Sequence, residues 1–301
     1  MRAVVFDRFG SPDVLRIATL PDPEPGPGEV RIRVRAAGVQ PFDVGFRQGV
    51  MSWAPASFPQ QIGQEYSGVV DRLGEGVTEL AVGDAVLGST MFNACAELLC
   101  VPVPQVVRKP DRLDLPAAAA FVAASQTATG ALAELAVGAD DVLLVHAAAG
   151  SVGTIAVQLA RRAGATVIGT ASPGNHDYLR QLGAIPVAYG DQLPAGVRAT
   201  GHTPTVALDA AGGDAITQSV TLGISPDRVG TIVDDKAAAE HGARVVRAGR
   251  DPRRLAEVIE LAGEGQVVMP VRAYPLSDVV AAHRVVESRH GRGKVVLVVE
   301  P

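Results

Sequence analysis

The sequence predicts an α/β chain in two parts: a mostly β part built from short strands, and a doubly wound parallel sheet. Two observations carry this. Residues 1 to about 110 read as short alternating segments punctuated by Pro and Gly, the period and punctuation of strands. From Asp141 onward apolar strands and helical segments follow one another in turn, as they do when βαβ units build a parallel sheet. A length of 301 residues is enough for two cores.

In order, LRIAT (15–19) and EVRIRVRAAG (29–38) alternate as strands, joined by the polar connector PDPEPGPG (21–28). PFDVGFRQG (41–49) reads as a short helix among strands, and EYSGVVDRLG, DAVLGS and CAELLCVP continue the β pattern. The character changes near Leu115, where PAAAAFVAASQTATGALAELA is helical by propensity. Strand and helix then alternate: DVLLVH, VGTIAVQLARRAG, TVIGT, NHDYLRQLGA, VALDA, DAITQSVTLG. After about residue 251 come a helix (PRRLAEVIELAGEG), a strand, a helix (SDVVAAHRVVES) and a closing strand (KVVLVVE).

Apolar residues make up 47% and aromatics 4%, so small and branched side chains fill the core. A net charge of −5 argues against nucleic acid or an anionic membrane as partner, since both need concentrated basic surface. The basic stretches at 244–254 and 289–294 are interrupted by apolar residues and read as solvated faces. The two cysteines, Cys95 and Cys100, make neither a disulfide framework nor a four-thiolate zinc lobe; they are expected as buried, reduced thiols. MRAVVFDRFG has no apolar signal region, and no apolar run approaches bilayer length. The expectation is a soluble, cytoplasmic protein.

The segment LLVHAAAGSVGTIAVQLARRAG (143–164) places a small-residue loop after a strand and before a helix. Its pattern is Ala148-x-Gly150-x-x-Gly153, with Ala in the first glycine position of a dinucleotide fingerprint. Ala148 still permits a tight turn, Gly150 lets backbone approach a pyrophosphate, and Gly153 lets the helix pack on the strand. The N–H groups around Ser151, Val152 and Gly153 would meet phosphate. The alternative is a glycine turn needed only for packing. An NAD site would place Asp or Glu at the end of the second strand, but Thr170, Ala171 and Ser172 stand there, with no acid before Asp177. That favours NADPH, with Asn175, His176 and Tyr189 as further polar partners; His176 reads equally as a solvent-exposed residue early in a helix. His146 reads as a buried, hydrogen-bonded histidine, and Asp209 as a carboxylate bonding the backbone of the AAGG turn after it.

AAGVQPFDVGFRQG (36–49), GQEYSGVVDRLGEGV (63–77), VGDAVLG (82–88), SQTATGAL (125–132), the fingerprint stretch, LDAAGGD (208–214) and RGKVVLVV (292–299) follow one another along nearly the whole chain. Together they resemble the medium-chain dehydrogenase/reductase superfamily, in its zinc-independent branch of quinone oxidoreductases, zeta-crystallin-like proteins and enoyl reductases. The resemblance implies a GroES-like twisted β-barrel catalytic domain, at 1–122 and 254–301, and a Rossmann dinucleotide-binding domain at 123–253. It implies a homodimer, formed near GARVV (242–246), and places Thr127 near a nicotinamide.

In zinc-dependent relatives a cysteine lies near the position of Gln40, and a histidine takes that of Gln64, before a glutamate that is here Glu65. Primary amides are weak zinc ligands beside thiolate and imidazole, so no metal is expected. Without a Lewis acid, alkoxide chemistry is disfavoured. Hydride addition to a quinone or an activated enone asks less of the protein. Gln40 stands where the family's pocket motif has Asn, and Gly45 where it commonly has Tyr; Asp43 and Arg47 remain. Gln40, Asp43 and Arg47 form the candidate catalytic set, although an Asp43–Arg47 ion pair that merely holds the segment is the plainer reading. Phe46, Trp53, Gln64, Met91 and Phe92 are candidates to line a flat-ring pocket, or to be core. The leading expectation is an NADPH-dependent reductase of a quinone or enone. An enoyl reductase of a biosynthetic pathway and a non-catalytic NADPH-binding protein are the alternatives.

Overall fold

The computed structural model describes residues 1–51, 53–247, 249–289 and 291–300. The chain divides into two compact units, residues 1–123 with 255–301, and residues 124–254.

The first unit begins with β1 (Arg2–Phe6), β2 (Leu15–Thr19), β3 (Glu29–Val39), α1 (Pro41–Gln48), β4 (Gln60–Gln61), β5 (Glu65–Leu73), β6 (Ala85–Ser89), β7 (Leu98–Pro102) and β8 (Val106–Arg108), followed by α2 (Leu115–Glu134). β3 is the organising strand. Its eleven residues pair antiparallel with both β5 and β7, and Val30, Ile32 and Val34 enter the core, as the alternation predicts. Arg31 departs from that alternation at 7% exposure. Asp71 (2.9 Å) and Glu24 (3.2 Å) pair with it, and the Pro23 carbonyl accepts a further bond. Asp71 of β5 and the polar connector before β3 therefore supply the partners that make its burial tolerable. α1 starts at Pro41 after the N-cap Gln40 and stops at Gly49, which is left-handed (φ 77°). A Cβ at Gly49 would also sit 2.7 Å from the Phe9 ring, so glycine is required there on two counts.

The second unit runs β9 (Val142–His146), α3 (Ser151–Arg162), β10 (Thr166–Thr170), α4 (His176–Gln181), β11 (Ile185–Val187), α5 (Leu193–Ala199), β12 (Val206–Asp209), α6 (Ala215–Thr221), β13 (Val229–Thr231), α7 (Asp235–His241) and β14 (Arg244–Val245). All its pairings are parallel, in the order β11-β10-β9-β12-β13-β14. The order reverses between β9 and β12, which makes the carboxyl ends of these two strands the place where such sheets bind ligands. Leu144, Ile168 and Ala207, buried on three adjacent strands, pack against Leu193, Val197 and Ile216 of the helices. β11, β13 and β14 have only two or three residues each, too few for a period to show in sequence.

The chain returns to the first unit through α8 (Pro252–Gly263), β15 (Val271–Pro275), α9 (Val279–Glu287) and β16 (Lys294–Val298). β16 pairs antiparallel with β3, with Val296 opposite Gly38. The predicted fold class is the one observed: a mostly β unit and a doubly wound parallel sheet. Both cysteines are free; Cys95 is buried and Cys100 half-buried. Among the described residues no helix is long and apolar enough to cross a membrane.

Candidate active site

The loop after β9 is shaped by backbone contacts. Ala147 is left-handed (φ 57°), and its carbonyl accepts from Gly150 N at 3.0 Å, closing the turn. Thr170 fastens the loop to the next strand: its carbonyl accepts from Ala148 N (3.0 Å) and its hydroxyl from Ala147 N (3.2 Å). A Cβ at Gly153 would lie 2.4 Å from the Ala147 carbonyl oxygen and 2.6 Å from Ala148 Cα, so α3 can approach the loop only because residue 153 is glycine. Ala148, fully buried, replaces the usual first glycine without a clash because Gly169 faces it; a Cβ there would come within 2.8 Å of the Ala148 methyl. Gly169→Ala is therefore expected to destabilise the protein by about 1–3 kcal/mol through overpacking, read as a lowered denaturation midpoint. α3 begins at the N-cap Gly150 with no side-chain cap, and Ser151 and Val152 are only half-buried. Its first N–H groups and the positive end of its dipole thus form a cradle that fits the pyrophosphate of a dinucleotide.

The polar residues named at the end of β10 separate into two groups. Thr170 is 2% exposed and spends its side chain on the loop. Ser172, Asn175 and His176 gather on one turn: Asn175 Nδ2 donates to Ser172 Oγ (3.3 Å), and His176 Nε2 lies 3.3 Å from the Ala171 carbonyl. Asp177, the first acid after the strand, turns to Arg180 at 2.5 Å. Tyr189 is exposed beyond β11, and Thr127 is half-buried on α2 beside Ser125, whose hydroxyl is buried with no hydrogen-bond partner.

The histidine and aspartate readings hold. His146 Nε2 lies 2.9 Å from Ser219 Oγ, whose own proton goes to the Ala215 carbonyl, so the imidazole is the donor. Burial pushes its pKa down to about 4, against the pull of Asp209. Asp209 Oδ1 accepts from Ala211 N and Gly212 N, both at 2.8 Å, and Oδ2 from Thr231 Oγ1 at 2.7 Å.

In the first unit, α1 and β5 place two amides together. Gln40 Nε2 donates to Gln64 Oε1 at 3.0 Å, and Gln64 Nε2 donates to Met91 Sδ at 3.3 Å. A thioether can only accept, so Gln64 must turn its NH₂ to Met91 and its oxygen to Gln40. The chain Gln40→Gln64→Met91 therefore has one direction, and its last acceptor is a weak one. Gln40 is held by Asp43, whose Oδ2 accepts from Gln40 N at 2.9 Å.

Asp43 (2% exposed) and Arg47 (0%) are enclosed. The carboxylate against Arg47 is that of Glu287 on α9, at 3.3 Å, rather than the expected neighbour four residues earlier in the helix. His283, one turn before Glu287, is fully buried with neither ring nitrogen bonded; burial and the charge of Arg47 lower its pKa to about 3. Phe46 is core at 1% exposure and stacks on Phe92 at 4.0 Å. Phe92 also stacks on Phe42 (5.9 Å), which lies 5.8 Å from Trp53, and Trp53 and Met91 are exposed. Phe42, absent from the sequence-based set, is thus the ring that joins the others; its spacing of four from Phe46 on α1 was the available signal.

Glu65 is buried against Lys294 of β16, and its Oε2 takes the N–H of Ala123 at 2.7 Å. Both charges are almost fully enclosed, at 0% and 3% side-chain exposure. No spacing rule joins residues 65 and 294. Among the described residues no group of three or more His, Cys, Asp and Glu is placed to hold a metal ion.

Residues 26–147 match the family model described as the alcohol dehydrogenase GroES-like domain, and residues 182–297 the one described as zinc-binding dehydrogenase. The chain is 34% identical over 298 residues to the polyketide synthase GfsB of Streptomyces halstedii, which covers 86% of this chain and only 5% of that protein. Among solved structures, the quinone oxidoreductase from Coxiella burnetii is 30% identical with a TM-score of 0.88, over 100% of this chain and 99% of that one. A structure described as an NAD-dependent alcohol dehydrogenase is also 30% identical, with a TM-score of 0.88 over 100% of both chains.

Proposed function

The chain belongs to the medium-chain dehydrogenase/reductase family, in its quinone oxidoreductase branch, and from that premise we propose that it is an NADPH-dependent, zinc-independent reductase of a quinone or an activated enone. The observation that carries this reading is the Gln40–Gln64 pair. Where zinc-dependent relatives have ligands, this chain has two amides bonded to each other at 3.0 Å. Amides hold zinc poorly but donate well to a carbonyl or quinone oxygen. Bound NADPH would supply the hydride.

The residues of this chain orient and stabilise. The turn from Ala148 to Gly153 holds the pyrophosphate with backbone N–H groups. Ser172, Asn175 and His176 offer donors to a 2′-phosphate, and Asp177, the first acid after the strand, is paired with Arg180. Gln40 and Gln64 meet the acceptor's oxygen, on which negative charge develops, and protonation comes from solvent. The Phe92–Phe42–Trp53 ring surface suits a flat acceptor. A homodimer through the edge strand β14, whose two residues are exposed, belongs to the same reading.

The test follows nicotinamide absorbance with NADPH and with NADH, against a quinone panel and an enone panel. NADPH-selective loss with quinones is expected. Gln40→Leu should lower kcat/KM about tenfold to a hundredfold and leave NADPH affinity unchanged. Loss with enones alone moves the assignment to C=C reduction, the second reading, which the match to a polyketide synthase favours. NADPH binding without turnover of either panel sinks the reductase reading.

A further inference from the structure

We propose that Met91 is a modification site: a hydroperoxide oxidises its thioether to the sulfoxide, and the sulfoxide then occupies the Gln64 amide in place of the acceptor's oxygen. The second half rests on the reading of Gln64 as an oxygen-binding donor.

Three features single out this sulfur. The chain has four methionines, and Met91 is the exposed one, at 54%; Met269 is 9% exposed, and Met1 and Met51 are half-buried. Its Sδ is the terminal acceptor of the Gln40→Gln64→Met91 chain, so the oxidisable sulfur of an exposed side chain rests on an amide that is 4% exposed. The backbone beside it is pinned, because Phe92 is left-handed (φ 65°) and stacks on Phe46 at 4.0 Å. The thioether therefore rests over Gln64 on a side chain that solvent reaches.

The chemistry balances. A sulfur lone pair attacks the near oxygen of the hydroperoxide, the O–O bond breaks, and the proton of the near oxygen passes to the leaving one. Sulfur loses two electrons, hydrogen peroxide gives water, and an organic hydroperoxide gives its alcohol. The product carries an S=O oxygen, an acceptor far stronger than the thioether, beside the N–H that already pointed at sulfur. In the reduced protein a substrate carbonyl outcompetes the thioether for that N–H; in the oxidised protein it meets an acceptor of its own strength. Re-oxidation of a hydroquinone by dioxygen gives the quinone and hydrogen peroxide, so turnover with quinones generates an oxidant of the required class.

The full chain would be treated with limiting hydrogen peroxide and its peptides weighed. Met91 should gain one oxygen at least about fivefold faster than Met51. Quinone affinity would be read, without any nucleotide, from quenching of Trp53, the chain's single tryptophan. The dissociation constant should rise about tenfold on oxidation and return after treatment with methionine sulfoxide reductase. A Met91→Leu chain, which keeps both cysteines, should show no peroxide-dependent change in its own constant. Oxidation of Met51 ahead of Met91, or an unchanged quenching isotherm on protein oxidised at Met91, overturns the proposal. NADPH turnover by untreated protein is scored separately. Quenching that responds to oxidation, with no turnover, sinks the reductase reading and leaves the site standing. A native chain whose Trp53 no quinone quenches overturns the proposal, and turnover of the two panels alone then decides the reductase reading.

Discussion

Lowering the pH from 7 to 5 is expected to remove about 4 kcal/mol of stability, through two histidines buried in their neutral form. His146 is lowered to about 4 and His283 to about 3, burial being the main cause in both. In the unfolded chain each returns to about 6.5. Between those values the unfolded state binds protons that the folded state refuses. Stability is fully present above pH 6.5, falls as the pH drops through that window, and levels off below the folded values. Each group accounts for about 2 kcal/mol of the loss by pH 5. Neither ring nitrogen of His283 has a hydrogen-bond partner, so His283→Leu breaks no bond and should remove about half of the pH dependence. Urea melts at pH 7, 6 and 5 measure it. A Leu variant with the unaltered slope would show that His283 is not the group responsible.

Lys294→Met is expected to cost about 3–5 kcal/mol, because it leaves Glu65 charged and enclosed. Glu65 cannot turn to water: it is 0% exposed, and its second oxygen is engaged by Ala123 N. The double variant Glu65→Gln/Lys294→Met should recover more than half of the loss, since a neutral amide keeps an acceptor for Ala123 and has no charge to desolvate. Equal instability of the single and double variants would show that packing of the lysine stem, rather than the uncompensated charge, sets the cost. Gly38, opposite Val296 on β16, belongs to the same device: a Cβ there would lie 2.2 Å from Glu65 Oε1.

What the sequence determined is local or periodic. The strand period of β3, the short helix at α1, and the one-for-one alternation of β9 to β12 with helices are set by neighbours within a few residues. They could therefore be read without a structure. The dinucleotide loop was legible for the same reason: a turn, a close approach and a helix start need small residues at fixed spacing, and Ala148 to Gly153 supply them. Asp209 Oδ1 reaches the turn that follows it, which a sequence shows, whereas the bond of its Oδ2 to Thr231 on β13 came only with the fold.

What the tertiary structure decided depends on residues far apart in the chain. Gln40 and Gln64 could be named one at a time, but their bond, and the thioether that fixes its direction, required β5 and the turn before Phe92 to meet α1. Arg47 pairs with Glu287 because α9 returns 240 positions later and shields it from water; the i, i+4 rule, a weak local preference, loses to that enclosure. Glu65 could be named from its place after Gln64, but nothing in the sequence pairs it with Lys294 or encloses His283. A buried charge or imidazole is defined by what excludes water from it, and that is a property of the packed fold rather than of any stretch of chain.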